Sequence, residues 1–148
     1  MNELSVIVKV VMANTFVMYF KAQSYHWNVE GKNFGEYHGF FGDLYEELHG
    51  VIDIVAEEIR ALDVYAPASL DELFKFKTIE EDSAKPTYAA EMFMNLIKAN
   101  DEVVSALNKL FTSANAANNQ GLADFAAGRL NAHSKHAWQL RSYLKSGD

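Results

Sequence analysis

Two histidines and two carboxylates form the set in this chain with the most chemistry in it: His26 and His38, on either side of a turn containing Gly31, then Asp53 and Glu57. Imidazole nitrogens and carboxylate oxygens together suit iron, and such a set needs no thiolate. Asp53 and Glu57 are spaced i, i+4, which on a helix puts both carboxylates on one face, one turn apart. His38 precedes Asp53 by fifteen residues, so at about 100° per residue it lies about 60° from Asp53 around the same helix. Along the axis the same spacing is about 22 Å, too far for both to hold one ion within one chain. If the helix instead meets a copy of itself antiparallel across a two-fold axis, residues whose numbers share a constant sum face each other. His38 opposite Glu57 would set that sum near 95 and create two equivalent sites per dimer.

The elements that must position this set read as helices. Apolar residues recur at three- and four-residue spacing, and Pro67 and Pro86 both fall in the middle of the chain, which predicts helices interrupted by one central connection. The first helix is expected from about Glu3 to about Val29, with a core stripe of Leu4, Ile7, Val11, Phe16 and Phe20. Gly31 then supplies a turn, and Asn33 with Glu36 forms a capping box for a second helix reaching about Leu62. Ser69-Leu70-Asp71-Glu72 is itself a helix-start signal, so a short extra helix is expected within the long crossover. A third long helix is expected from about Thr87 to about Ala117. The cluster Asn118-Asn119-Gln120-Gly121 turns the chain into a fourth, which continues to about Lys145. The expected fold is all-α: a four-helix bundle of ferritin-like connectivity with one long crossover, forming a single domain over 1–148.

Composition narrows the function classes. The 148 residues suffice for one well-buried core, and the formal net charge of -7 argues against an autonomous nucleic-acid binder. With no Cys there is neither a disulfide framework nor a thiolate metal site. Glu3 and Lys9 interrupt the place where a signal peptide would need a clean apolar stretch, so a cytoplasmic location is the expectation. The run from Val10 to Phe20 is about half the length that spans a bilayer, and no membrane segment is expected.

The block His26-Trp27-Asn28-Val29-Glu30-Gly31-Lys32-Asn33-Phe34, then His38, then Asp53-Ile54-Val55-Ala56-Glu57 resembles the ferroxidase region of the Dps family, the mini-ferritins. Pro67 to Leu73 resembles the family's short interhelical segment, and Arg129-Leu130 through His133 to Arg141 its last helix. The resemblance implies iron sites shared between subunits, with His26 and His38 from one and Asp53 and Glu57 from the other, in a homo-oligomeric shell of about twelve subunits. It further implies oxidation of Fe(II), with hydrogen peroxide as preferred oxidant, and storage of Fe(III) mineral inside. Trp27 would lie beside the iron centre.

One position departs from the family pattern: the Asp usually found four residues after the second His is replaced by Gly42. Asp43 is adjacent but rotated by about 100°. One strong iron position (His26, Asp53, Glu57) and a weaker one near His38 are therefore expected, with Gly42→Asp completing the site. The alternative readings are a structural shell of the same fold with impaired ferroxidation, and a DNA-compacting protein. DNA binding is not expected, because the first Lys is Lys9 and the residues after Leu144 are only Lys145-Ser146-Gly147-Asp148.

Other residues carry lesser expectations. Gly35, Gly39, Gly42 and Gly50 interrupt the second helix at about 1 kcal/mol each relative to Ala, which suggests close approach of another helix. Asp43, Glu46 and Glu47 are candidate inner-surface acids. Glu46 and His49 would face each other across the two-fold, and His133 and His136 are expected on a polar face. Met12, Met18, Met92 and Met94 are expected as core filling.

Overall fold

The computed structural model describes residues 2–86 and 88–145, and every regular element among them is a helix. In chain order these are α1 (Glu3–Asn28), α2 (Phe34–Ala61), the short α3 (Leu70–Phe74), α4 (Ala89–Ala116) and α5 (Gln120–Leu144). Thr87, expected to open the third long helix, and the final residues Ser146, Gly147 and Asp148 lie outside the described residues.

Helix ends follow local chemistry. Asn2 caps α1, its side-chain oxygen accepting from the Leu4 N–H at 2.9 Å. Ser69 caps α3 by accepting from the Glu72 N–H, while Glu72 reaches back to the Ala68 N–H at 2.9 Å. The α4–α5 turn places Asn118 at φ 57, in the left-handed region that Asn tolerates. Two backbone bonds, Asn118 N–H to Asn115 O and Asn119 N–H to Ala114 O, then close the end of α4. The side chain of Asn119 starts α5 by accepting from the Leu122 N–H at 3.1 Å.

The capping box expected at Asn33 does not form. Gly31 at φ 119 folds the turn so that the Phe34 N–H donates to the Gly31 carbonyl at 3.1 Å, and Asn33 turns its amide toward the Tyr37 hydroxyl at 3.4 Å.

Helix α1 packs against α2, α3 and α4, and α4 packs against α5. Because α1 has neighbours on several sides, its core is broader than the expected stripe and rotated from it. Val8, Val11, Met18, Ala22 and Tyr25 are buried, while Leu4, Ile7 and Phe16 are only half-buried and Phe20 is 48% exposed. Met94 likewise lies outside the core at 50% exposure, whereas Met12, Met18 and Met92 fill it. By length and composition α1 could cross a membrane, but 56% of its most apolar stretch is buried inside the bundle and it buries Lys9, Asn14, Thr15 and Lys21.

Those buried polar groups fasten the crossover to the bundle. Asn14 donates to the Thr78 hydroxyl and accepts from the Thr78 N–H, each at 2.8 Å. Lys21 pairs with Asp82 at 2.8 Å, and the Tyr25 hydroxyl donates to the other Asp82 oxygen at 2.6 Å. Burial, and then the bond to Asp82, hold the Tyr25 hydroxyl far above its ordinary pKa. It is therefore a permanent donor, fixing the end of α1 immediately before His26.

Candidate metal centre

His26 lies in the last turn of α1 and His38 in the second turn of α2, so the 29–33 turn brings them together. Their rings stack with centroids 3.8 Å apart at 16°. The hydrogen bonds are crossed: Nδ1 of His26 donates to the His38 carbonyl and Nδ1 of His38 to the His26 carbonyl, each at 2.7 Å. A carbonyl can only accept, so in the neutral rings both Nδ1 atoms carry the proton and both Nε2 atoms present a lone pair. Fixing the tautomer through the far nitrogen is the arrangement by which proteins hold metal-ligating histidines. Phe34 stacks on the His38 ring at 4.9 Å, and Tyr45 sets its edge against His26 at 5.3 Å.

Gly42 sits against this pair. A Cβ at 42 would lie 3.1 Å from both Cε1 and Nδ1 of His26, closer than two such atoms rest without one moving. A side chain at position 42 would therefore require the His26 ring to give by a few tenths of an ångström. The other glycines do not meet a helix within the subunit: a Cβ at Gly35, Gly39 or Gly50 would have no neighbour within 4 Å. The close approach expected there is not made inside one chain.

Asp53 and Glu57 are exposed on the far half of α2, and neither forms a hydrogen bond or ion pair with another described residue. The carboxyl of the next residue, Glu58, is pushed above its usual range by burial and by the charge on Glu57. Helix α2 is continuous from Phe34 to Ala61, so the axial separation of His38 from Asp53 stands at about 22 Å. Among the described residues no three His, Asp or Glu side chains converge to hold an ion. One subunit thus carries a histidine pair and a carboxylate pair as separate halves. Trp27 is 57% exposed and packs edge-on against Phe20 at 6.1 Å. Glu46, His49 and Asp43 are exposed on the same helix, with His49 against the Tyr19 ring at 4.9 Å.

A second polar cluster, between α2, α4 and α5, was not anticipated. Arg129 forms a two-pronged ion pair with Glu47 at 2.6 and 3.0 Å, and His136 donates to the same carboxylate at 2.8 Å. Arg129 also donates to Nε2 of His133 at 3.1 Å, leaving Nδ1–H of His133 to donate to the Asn100 side chain at 2.8 Å. His133 is fully buried, not on a polar face, and burial together with the Arg129 charge depresses its pKa to about 3. Burial alone would raise the Glu47 carboxyl, but the bonds from His136 and Arg129 outweigh it and hold Glu47 well below the usual range. Glu47 is therefore ion-paired within the subunit, and both ring nitrogens of His133 are occupied. The signal was present in the spacing: Arg129, His133 and His136 repeat at i, i+4, i+7 in line with buried Leu140.

The ferritin-like domain family matches residues 9–148. A curated relative named as a DNA protection during starvation protein, from Brevibacillus brevis, is 31% identical over 134 residues, covering 90% of this chain and 89% of the relative. A crystal structure of a Dps protein from Bacillus brevis matches with TM-score 0.90 at 30% identity, over 96% of this chain and 95% of that one. Dps from Thermosynechococcus elongatus matches with TM-score 0.94 at 27% identity, over 99% and 92%. Both the helical order and the sequence are thus shared over nearly the full length, and the chain belongs to the Dps family of ferritin-like proteins, the mini-ferritins.

Proposed function

We propose that this protein is a cytoplasmic iron-storage and iron-detoxifying subunit that oxidises Fe(II) at two-fold interfaces and holds Fe(III) mineral within a shell of about twelve copies. The observation that carries the reading is the division of the α2 region into two incomplete halves. The crossed histidines offer two preset Nε2 lone pairs, and Asp53 and Glu57 offer carboxylates with no hydrogen-bond or ion-pair partner among the described residues. An antiparallel copy of α2 joins the halves, with His26 and His38 facing the partner subunit's Asp53 and Glu57.

At such a site the carboxylates offset the charge of incoming Fe(II) and of the Fe(III) that forms, and the imidazoles supply borderline nitrogen ligands. With hydrogen peroxide as oxidant, two Fe(II) each give one electron, the O–O bond breaks, and two protons are taken up to form two waters. The open face of Gly35, Gly39 and Gly50 lets the partner helix approach closely.

Aerobic and peroxide-driven Fe(II) oxidation followed by absorbance, together with native mass measurement, tests the reading. The expected result is rapid peroxide-dependent oxidation by a closed particle of about twelve subunits. A monodisperse monomer at micromolar concentration would remove the shared site and with it the function.

DNA binding is expected to be weak, since the net charge is -7 and phosphate contacts need clustered cations. Gel-shift titration at about 200 mM salt should show no retained complex; a tight complex at that salt would restore the compaction reading.

A further inference from the structure

We infer that Glu46 and His49 form a second metal site, distinct from the ferroxidase sites, in which a divalent transition ion lies on the two-fold axis between two imidazoles and two carboxylates, half of them from each subunit. The inference rests on the antiparallel α2 pairing of the proposed function and adds a site to it. Along α2 the residues His38, Gly42 and Glu46 follow one another at i, i+4, and so do His49, Asp53 and Glu57. Because Glu46 and His49 are three apart, both runs fall on one face about 100° wide. A pairing that sets His38 opposite the partner subunit's Glu57 leaves no freedom for the rest. Glu46 then faces the partner subunit's His49, and His49 faces the partner subunit's Glu46. At the rise of a helix each of them lies about 2 Å along α2 from the axis, whereas His38 lies about 14 Å from it. The four side chains are therefore within reach of one point, and that point is separate from the sites at His38.

Within the subunit both side chains are left open for this role. They are exposed, and neither has a hydrogen-bond or ion-pair partner among the described residues. The adjacent acid Glu47 is by contrast bound by Arg129 and His136, so Glu46 is the unpaired carboxylate of its turn. The His49 ring rests against Tyr19 at 4.9 Å. Tyr19 is itself held by its hydroxyl's bond to Gln23 and by the rings of Phe16 and Tyr45, so the imidazole is backed on one side and open on the other. Gly50, where a Cβ would meet nothing within 4 Å, keeps the helix surface low beside His49 and lets the partner helix come near. Closing that interface without an ion would bring two Glu46 carboxylates together away from water, a charge that must be paired. A divalent cation offsets it. Two imidazole nitrogens and two carboxylate oxygens are a tetrahedral set that zinc accepts, whereas calcium and magnesium call for oxygen alone.

The test titrates zinc chloride calorimetrically into assembled particles in which Asp53→Asn/Glu57→Gln has removed the ferroxidase carboxylates. The expected result is residual tight binding of one zinc per two subunits. Either Glu46→Gln or His49→Ala, added to that background, should weaken it more than about a hundredfold, since each removes two of the four ligands at once. Zinc-soaked crystals should show an anomalous peak on the two-fold axis between the two His49 rings. If the residual binding is absent, or is present but unchanged by His49→Ala, the axial site is overturned and Glu46 meets the partner subunit's His49 through hydrogen bonds alone. The two readings fail separately. In wild-type particles the shared ferroxidase site adds zinc beyond one per two subunits, and Asp53→Asn/Glu57→Gln should abolish that addition. The additional zinc without the axial zinc overturns only the inference, and the axial zinc without the additional zinc overturns only the shared ferroxidase site. A particle whose α2 helices do not meet across a two-fold overturns both.

Discussion

Shells co-assembled from equal amounts of two inactive variants, His26→Ala/His38→Ala and Asp53→Asn/Glu57→Gln, are expected to recover about one quarter of the wild-type ferroxidase sites. Each variant alone lacks one half of every site. Loss of an outer partner of a metal ligand already costs about 10–100-fold, so loss of the ligands themselves should remove more than about a hundredfold. In a mixed shell with random pairing, about half of the two-fold dimers contain one subunit of each kind. Each such dimer joins the intact histidines of one subunit to the intact carboxylates of the other at one of its two sites, and joins two damaged halves at the second. A site contained within one subunit would recover nothing on mixing, because no chain carries both halves. Peroxide-driven oxidation rate per subunit, measured after disassembly and joint reassembly, decides between the two. Activity that stays at the level of the separate variants would refute the shared site even if the wild type proves to be a ferroxidase.

The division that makes this experiment possible was legible in the sequence because it is a matter of rise per residue. His38 and Asp53 share a stripe yet stand about 22 Å apart on any straight helix, and α2 proved continuous across both. The turn chemistry was legible as well: Asn118, Asn119 and Ser69 do what their side chains favour. What failed was the choice of face on α1. Apolar residues fall on every side of α1, so periodicity could not say which side meets α2 and which meets α4, and Phe20 was placed inside although it packs beside the exposed Trp27. Asn33 failed for a different reason. Its cap depends on the path of the preceding turn, which the positive φ of Gly31 sets.

The histidine orientation was also beyond the sequence. The crossed bonds run from side chain to backbone across two helices, and the space at Gly42 is visible only once the His26 ring is in place. The sequence marks Gly42 as a missing carboxylate. In the folded subunit the same position lies against the His26 ring.

The buried cluster at Arg129 leads to the second large effect: lowering the pH from 7 to 5 should destabilise the subunit by about 2 kcal/mol through His133 alone. The folded pKa of His133 lies near 3 against an ordinary value of 6.5, because burial and then the neighbouring charge of Arg129 disfavour the protonated ring. Above the ordinary value both folded and unfolded chains carry neutral His133, and its stabilising contribution is complete. As the pH falls below 6.5 the unfolded chain binds a proton that the folded chain refuses, so stability is lost progressively down to about pH 3. Glu47, held ionised below its usual range by His136 and Arg129, loses its contribution in the same direction but only at lower pH. Urea unfolding midpoints at the two pH values measure the combined slope. His133→Gln keeps a donor and an acceptor but cannot titrate, so it should begin less stable at pH 7 and lose markedly less between pH 7 and 5. An equal loss in both proteins would assign the acid sensitivity to other groups and leave the buried imidazole without a role in it.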